Sequence, residues 1–168
     1  MKQKSKPVSM ELPGNRDHHF AFLSYQLGFA AAQLIRPSTT NPPVDPSRSI
    51  WNDHRVDPRV ASILRRACAD CHSHETAWPW YSKISPFSWF VAHHVTKGRE
   101  KLNFSEWSRV APDQLQEIAD SIEKKKMPLS SYLWIHRDAG LSKDDREALL
   151  AWVDRVTESV SGKAALAQ

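Results

Sequence analysis

The run Cys68-Ala69-Asp70-Cys71-His72 is where residue type and spacing in this 168-residue chain most clearly carry chemistry. It is a C-x-x-C-H pattern, the attachment signature of a c-type haem. The demand behind the pattern is specific. Two thiols must add across the two vinyl groups of one porphyrin, so their separation is fixed, and the next side chain must reach the iron. On a helix, positions i, i+3 and i+4 share a face, which points Cys68, Cys71 and His72 the same way. With two cysteines and eight histidines in the chain, random ordering produces the pattern about once in two thousand arrangements. Three other readings compete. A redox dithiol expects a βαβ setting, which the sequence lacks. A zinc site could recruit Cys68 and Cys71 with two of His72, His74, His93 and His94. A disulfide across two intervening residues would be strained.

A haem iron held by His72 needs a sixth ligand or an open position. Beyond the N-terminal region the chain has one methionine, Met127, in the run Glu123-Lys124-Lys125-Lys126-Met127-Pro128-Leu129. Pro128 ends the preceding helix and makes the segment a loop that can drape a thioether over the far face of the ring. The sequence favours Met127 over core filler, with His94 and His136 as alternative distal ligands. His93 and His94 lie about 100° apart on a helix, so at most one can face the iron. His54 and His74 read as surface residues. The aromatic stretch Thr76 to Phe90 follows the motif directly, and Trp78, Trp80, Tyr81 and Trp89, with Phe87 and Phe90, are the expected haem packing. Lys124 to Lys126 form either a docking patch or an ordinary solvated helix end.

The elements that must position these residues are helical. Asp57-Pro58 is an N-cap followed by proline at the first helical position. Val60, Ile63, Leu64, Ala67, Cys68 and Cys71 then recur at three and four residues. Ser85-Pro86 repeats the start signal for a helix to about Lys101. Asp113 to Lys125 carries Leu115, Ile118, Ala119 and Ile122 on one stripe. Ser142 with Asp145 is a capping-box variant opening a helix that buries Leu149, Trp152, Val153 and Val156. The expectation is an all-α domain of about four helices around one covalent haem. It divides into a leader (1–36), a Pro-rich linker (37–50), the haem-binding domain (51–160) and a flexible tail (161–168).

The leader contains the one long apolar run, Phe20 to Ile35, preceded by lysines and closed by Arg36-Pro37. It reads as an export signal or N-terminal membrane anchor, with a soluble amphipathic helix as the alternative. The four prolines between Arg36 and Ser49 predict a stiff, extended spacer holding the domain off whatever the leader is fixed to. The formal charge is +4, but residues 51–160 hold sixteen bases and sixteen acids. The excess therefore lies outside the folded part, and a nucleic-acid partner is set aside.

Further residues carry a resemblance: Ile35-Arg36-Pro37 and Thr40 to Asp45; Cys71-His72-Ser73 with Trp78-Pro79-Trp80-Tyr81; Ser88-Trp89, His94-Val95 and Gly98-Arg99; Leu102 to Ser105 with Trp107; and Met127-Pro128, Tyr132, His136 and Ala151-Trp152. From Gln33 to Val153 the chain resembles the small haem-binding-domain proteins of bacteria, regarded as c-type cytochromes. Members of that family usually carry a stronger N-terminal apolar segment. The resemblance implies His72 as proximal and Met127 as distal ligand. The resulting expectation is a one-electron carrier without a separate catalytic site. It would face the periplasm, either released or anchored in the inner membrane by residues 20–35, and meet redox partner proteins. The alternatives are a haem sensor or peroxidase-like enzyme with an open sixth position, and a zinc-binding module.

Overall fold

A computed structural model describes residues 15–166 of the protein, and no strand occurs among them. Seven α-helices follow in chain order: α1 (Asn15–Ala32), α2 (Pro58–Ala67), α3 (Ala69–His72), α4 (Phe87–Lys101), α5 (Pro112–Glu123), α6 (Ser130–Leu133) and α7 (Lys143–Leu166). Short 3₁₀ turns connect them. The four helices read from periodicity are α2, α4, α5 and α7, and the all-α expectation holds.

Local signals explain most of their ends. The Asp57 carboxylate accepts from the Val60 amide at 2.9 Å, with Pro58 at the first turn of α2. Ser142 and Asp145 exchange side-chain-to-backbone bonds of 3.0 Å in each direction, the reciprocal cap expected for α7. Helix α7 runs on through residues expected to form a flexible tail. The start signal at Ser85-Pro86 works differently. Helix α4 begins at Phe87, and Ser85 does not cap it. The Ser85 hydroxyl instead donates to the Ala32 carbonyl at 3.0 Å, and its amide to Gln33 Oε1 at 3.0 Å. Ser85 thereby latches the end of α1 onto the start of α4.

The core lies where α7 packs against α2 and α5, with Val60, Ile63, Leu64, Leu115, Ile122, Leu149, Trp152, Val153 and Val156 buried. Its aromatic part is Trp152 stacked on Trp107 (5.6 Å between ring centres), with Phe104 beside Trp107. Burial of this set, at about 1.5–3 kcal/mol per large side chain, is the main force holding the three long helices together.

Residues 37–50 are extended over most of their length, yet they lie along the domain instead of spacing it outward. Asn41 donates to the Thr76 carbonyl (2.9 Å) and accepts from Trp78 Nε1 (3.0 Å) and Arg99 Nη2 (2.8 Å). Ile50 at its end is fully buried in the core. Helix α1 has its apolar side chains, from Phe20 to Phe29, exposed. No helix among the described residues is long and apolar enough to cross a membrane. The lysines ahead of the apolar run, with Met1 and Met10, lie outside the described residues.

Candidate functional site

The chain that begins as α2 does not carry the C-x-x-C-H motif as one continuous helix. At Cys68 the backbone leaves helical geometry (φ −130°, ψ −35°), and the motif restarts as the single turn α3. One turn of helix cannot hold itself, so α3 is set by what packs on it, chiefly α4. The contact is close because residue 98 is glycine. A Cβ there would stand 2.4 Å from the Cys71 carbonyl oxygen. The next residue, Arg99, donates to the Ser73 carbonyl at 2.7 Å and to Thr76 Oγ1 at 2.8 Å, fixing the chain on leaving the motif.

His72 is oriented by the same helix. Its Nδ1 lies 3.0 Å from the Gly98 carbonyl oxygen and 3.1 Å from that of Leu102. Carbonyl oxygens only accept, so Nδ1 carries the proton and Nε2 keeps its lone pair. Such a backbone-held Nδ1–H is the usual support of a metal-ligating histidine. Burial lowers the His72 pKa, opposed by the two carbonyl bonds, and keeps the ring neutral.

A cleft of about 470 Å³ opens beside this arrangement, within the range of small-molecule and cofactor sites. Cys68, Cys71 and His72 line it, with His93, His94, Lys97 and Lys101 from α4. Gln114, Glu117 and Ile118 of α5 face it, Met127 and Tyr132 border it, and Leu64, Phe104 and Leu149 reach it from the core. The lining is mostly apolar. Burial pushes the Cys68 thiol up to about 12, helped by the nearby charge of Cys71, and the Cys71 thiol up to about 11, helped by Asp70. Both sulfurs are therefore protonated thiols at neutral pH, unlike the low-pKa cysteines of thiol exchange. No group of three or more His, Cys, Asp or Glu side chains suited to a metal ion occurs among the described residues.

Met127 reaches the cleft through the end of α5. Lys126 N–H bonds the Ser121 carbonyl (2.9 Å) and Lys125 N–H that of Ile122 (3.1 Å), with Lys125 in the left-handed region at φ 52°. This is a Schellman ending, with lysine where glycine is usual. It turns the chain back so that Met127, 37% exposed, borders the cleft.

The other expected site residues divide. His94 lines the cleft, and its Nδ1–H donates to the Phe90 carbonyl at 2.8 Å, leaving Nε2 free. His93 borders the cleft as well. His136 does not: its Nε2 pairs with the Tyr81 hydroxyl at 2.7 Å. The four aromatics expected as haem packing also lie elsewhere. Trp78 bonds Asn41, Trp89 donates to the Ile35 carbonyl at 2.7 Å, Tyr81 faces His136, and Trp80 is 74% exposed. They serve the linker, the α1 latch and the surface: the N–H groups of Trp78 and Trp89 and the O–H of Tyr81 find partners there, and Trp80 faces solvent. His74 also fastens the linker, through the Pro43 carbonyl at 3.2 Å. Sequence reasoning missed Asp70, Gly98, Arg99 and the carbonyl of Leu102 as site residues. A glycine inside an otherwise ordinary helix was the signal available for one of them.

A family model described as a haem-binding domain matches residues 27–155. No curated protein and no solved structure matches the chain. The match spans most of the sequence, and the chain belongs to the haem-binding domain family: it is an all-α haem-binding protein.

Proposed function

We propose that this member of the family is a c-type cytochrome working as a one-electron carrier outside the cytoplasmic membrane. Cys68 and Cys71 would hold the porphyrin as thioethers, and His72 and Met127 would ligate its iron. The observation that carries the reading is the fixed His72 tautomer. Its Nε2 is unprotonated within a cleft shared by both motif thiols and by the domain's one methionine. Bound there, haem supplies a one-electron iron couple, which a thioether ligand raises in potential relative to two imidazoles. The chain's own residues do the rest. Gly98 and Leu102 orient the imidazole, the apolar walls exclude water, and Met127 would offer its thioether as the second protein ligand. Covalent haem attachment takes place outside the bacterial cytoplasm, so the reading requires export, for which the exposed apolar side chains of α1 speak. The balanced charge of residues 51–160 suits a protein partner for electron exchange and not nucleic acid.

The test is expression of the full chain with a haem-attachment system. The expected product has a mass raised by one haem, a pyridine haemochrome of the doubly thioether-linked type, and a near-infrared Met–iron band in the ferric state. A colourless product of bare polypeptide mass refutes covalent attachment. Rapid carbon monoxide binding by the ferrous protein would instead select the sensor or peroxidase-like reading, with His94 as the acid–base group in an open distal pocket.

A further inference from the structure

The loop that carries Met127 is anchored at two ends. Its start is fixed by the Schellman ending of α5. Its far end is α6, where the Tyr132 amide bonds the Leu129 carbonyl at 3.0 Å, coupling Tyr132 to the residue two beyond Met127. The Tyr132 hydroxyl then donates to Asp70 Oδ2 at 2.7 Å. Asp70 lies between the two motif cysteines, and its other carboxylate oxygen accepts from the Ala77 amide at 3.0 Å. Among the described residues this is the one hydrogen bond joining residues 124–136 to the motif. The Tyr132 ring is itself held, stacked on His136 at 4.3 Å and 13°, with His136 bonded to Tyr81.

We propose that the Tyr132–Asp70 bond is a clasp that shuts the Met127 loop over the C-x-x-C-H motif, making Tyr132 a positioning residue for the sixth ligand. The inference rests on the reading of Met127 as that ligand. The His136–Tyr81 pair supports the ring from behind, which gives His136 a part in the site without touching the iron. A short hydroxyl–carboxylate bond is charge-assisted, and its loss shifts an open-to-shut equilibrium on the order of tenfold when partly buried.

The experiment compares holo wild type, Tyr132→Phe, Asp70→Ala and Asp70→Asn, each as the full chain with covalent haem verified by mass. Tyr132→Phe and Asp70→Ala are expected to weaken the near-infrared Met–iron band and to raise carbon monoxide binding by the ferrous form about tenfold. Asp70→Asn can keep its oxygen on the Ala77 amide and donate its NH2 to the Tyr132 hydroxyl, so a neutral clasp remains and most of the band is expected to be retained, which a general loss of folding would not allow. A wild type with the band whose Tyr132→Phe and Asp70→Ala variants keep it in full overturns the clasp while leaving Met127 ligation standing. A wild type without the band overturns the ligation, and the clasp as a ligand-holding device goes with it.

Discussion

Gly98→Ala is the sharpest probe of how the motif is held. In an ordinary helix interior this change stabilises by about 1 kcal/mol, because alanine loses less backbone freedom. Here the new methyl would sit 2.4 Å from the Cys71 carbonyl oxygen and 3.0 Å from its carbon, against the 3.4 Å at which ordinary contact begins. The obstacle is backbone, not the tip of a flexible side chain, so α3 and α4 must part by about 1 Å. Overpacking of this kind costs about 1–3 kcal/mol. The same displacement stretches the His72 bond to the Gly98 carbonyl, now 3.0 Å, at roughly 1 kcal/mol more. Set against the helix gain, the net loss is about 1–3 kcal/mol, a fall in Tm of roughly 4–10 °C for a domain of this size. Thermal unfolding of the holo protein by circular dichroism measures it, with the ferric spectrum reporting His72. Gly28→Ala is the control, since nothing lies within 4 Å of its Cβ position. A Gly98→Ala protein as stable as wild type, with an unaltered spectrum, refutes the close-packing argument.

Other perturbations probe the surroundings. Burial pushes the Asp53 carboxyl upward, but bonds from Arg55 and from Trp107 Nε1 (2.7 Å) outweigh it and bring the pKa down to about 2. A depressed folded pKa contributes stability above the unfolded value near 4 and loses it as the pH falls towards 2. Asp53→Asn should flatten urea-unfolding stability across that window and cost about 2 kcal/mol at pH 7. Lys125→Gly should relieve the left-handed backbone at φ 52° and stabilise by about 0.5–1 kcal/mol, read as a raised urea midpoint. Asn41→Ala removes three hydrogen bonds between linker and domain. Limited proteolysis within residues 37–50 should accelerate about tenfold, and an unchanged cleavage rate would show that the linker is held by other contacts.

Sequence legibility followed the range of the interaction. Asp57 and Ser142 cap their helices through bonds to amides three residues on, so both starts were readable in the local pattern. The Leu149, Trp152, Val156 stripe is read off one helix and is buried as expected. Ser85 carries the same start signal, yet its partners are Ala32 and Gln33, more than fifty residues away. Nothing in the local pattern separates the two cases. The aromatic residues show the same limit from the packing side. Indole mass alone does not say which tryptophans face inward. The core took Trp107 and Trp152, while Trp78 and Trp89 went to carbonyl or amide acceptors on the linker and the end of α1. Of the cleft lining, Cys68, Cys71, His72 and Met127 could be singled out in the sequence because haem-ligand chemistry calls for those residue types. Leu102 could not, because what it contributes is a carbonyl, which any residue has, and Gly98 showed only as a glycine inside a helix, with nothing local to say what it approaches.

That backbone contribution bears on how the site and the fold depend on each other. Helix α3 has one turn and takes its position from α4, and α4 in turn meets the rest of the chain through the 3₁₀ turn Trp80–Lys83, the cleft walls and the Ser85 latch. Leu64, Phe104 and Leu149 belong both to the hydrophobic core and to the cleft lining. A flat apolar cofactor placed there would cover these side chains and bridge the α3–α4 wall to the α5–α6 wall, adding to the same hydrophobic assembly that Trp107 and Trp152 begin. Stability and cofactor binding are then linked quantities, since whatever binds the folded state alone stabilises it. The residues that aim His72 are for the same reason residues whose loss loosens the fold. A substitution at the α3–α4 contact should lower haem retention and unfolding stability together, whereas one at the exposed Trp80 should move neither.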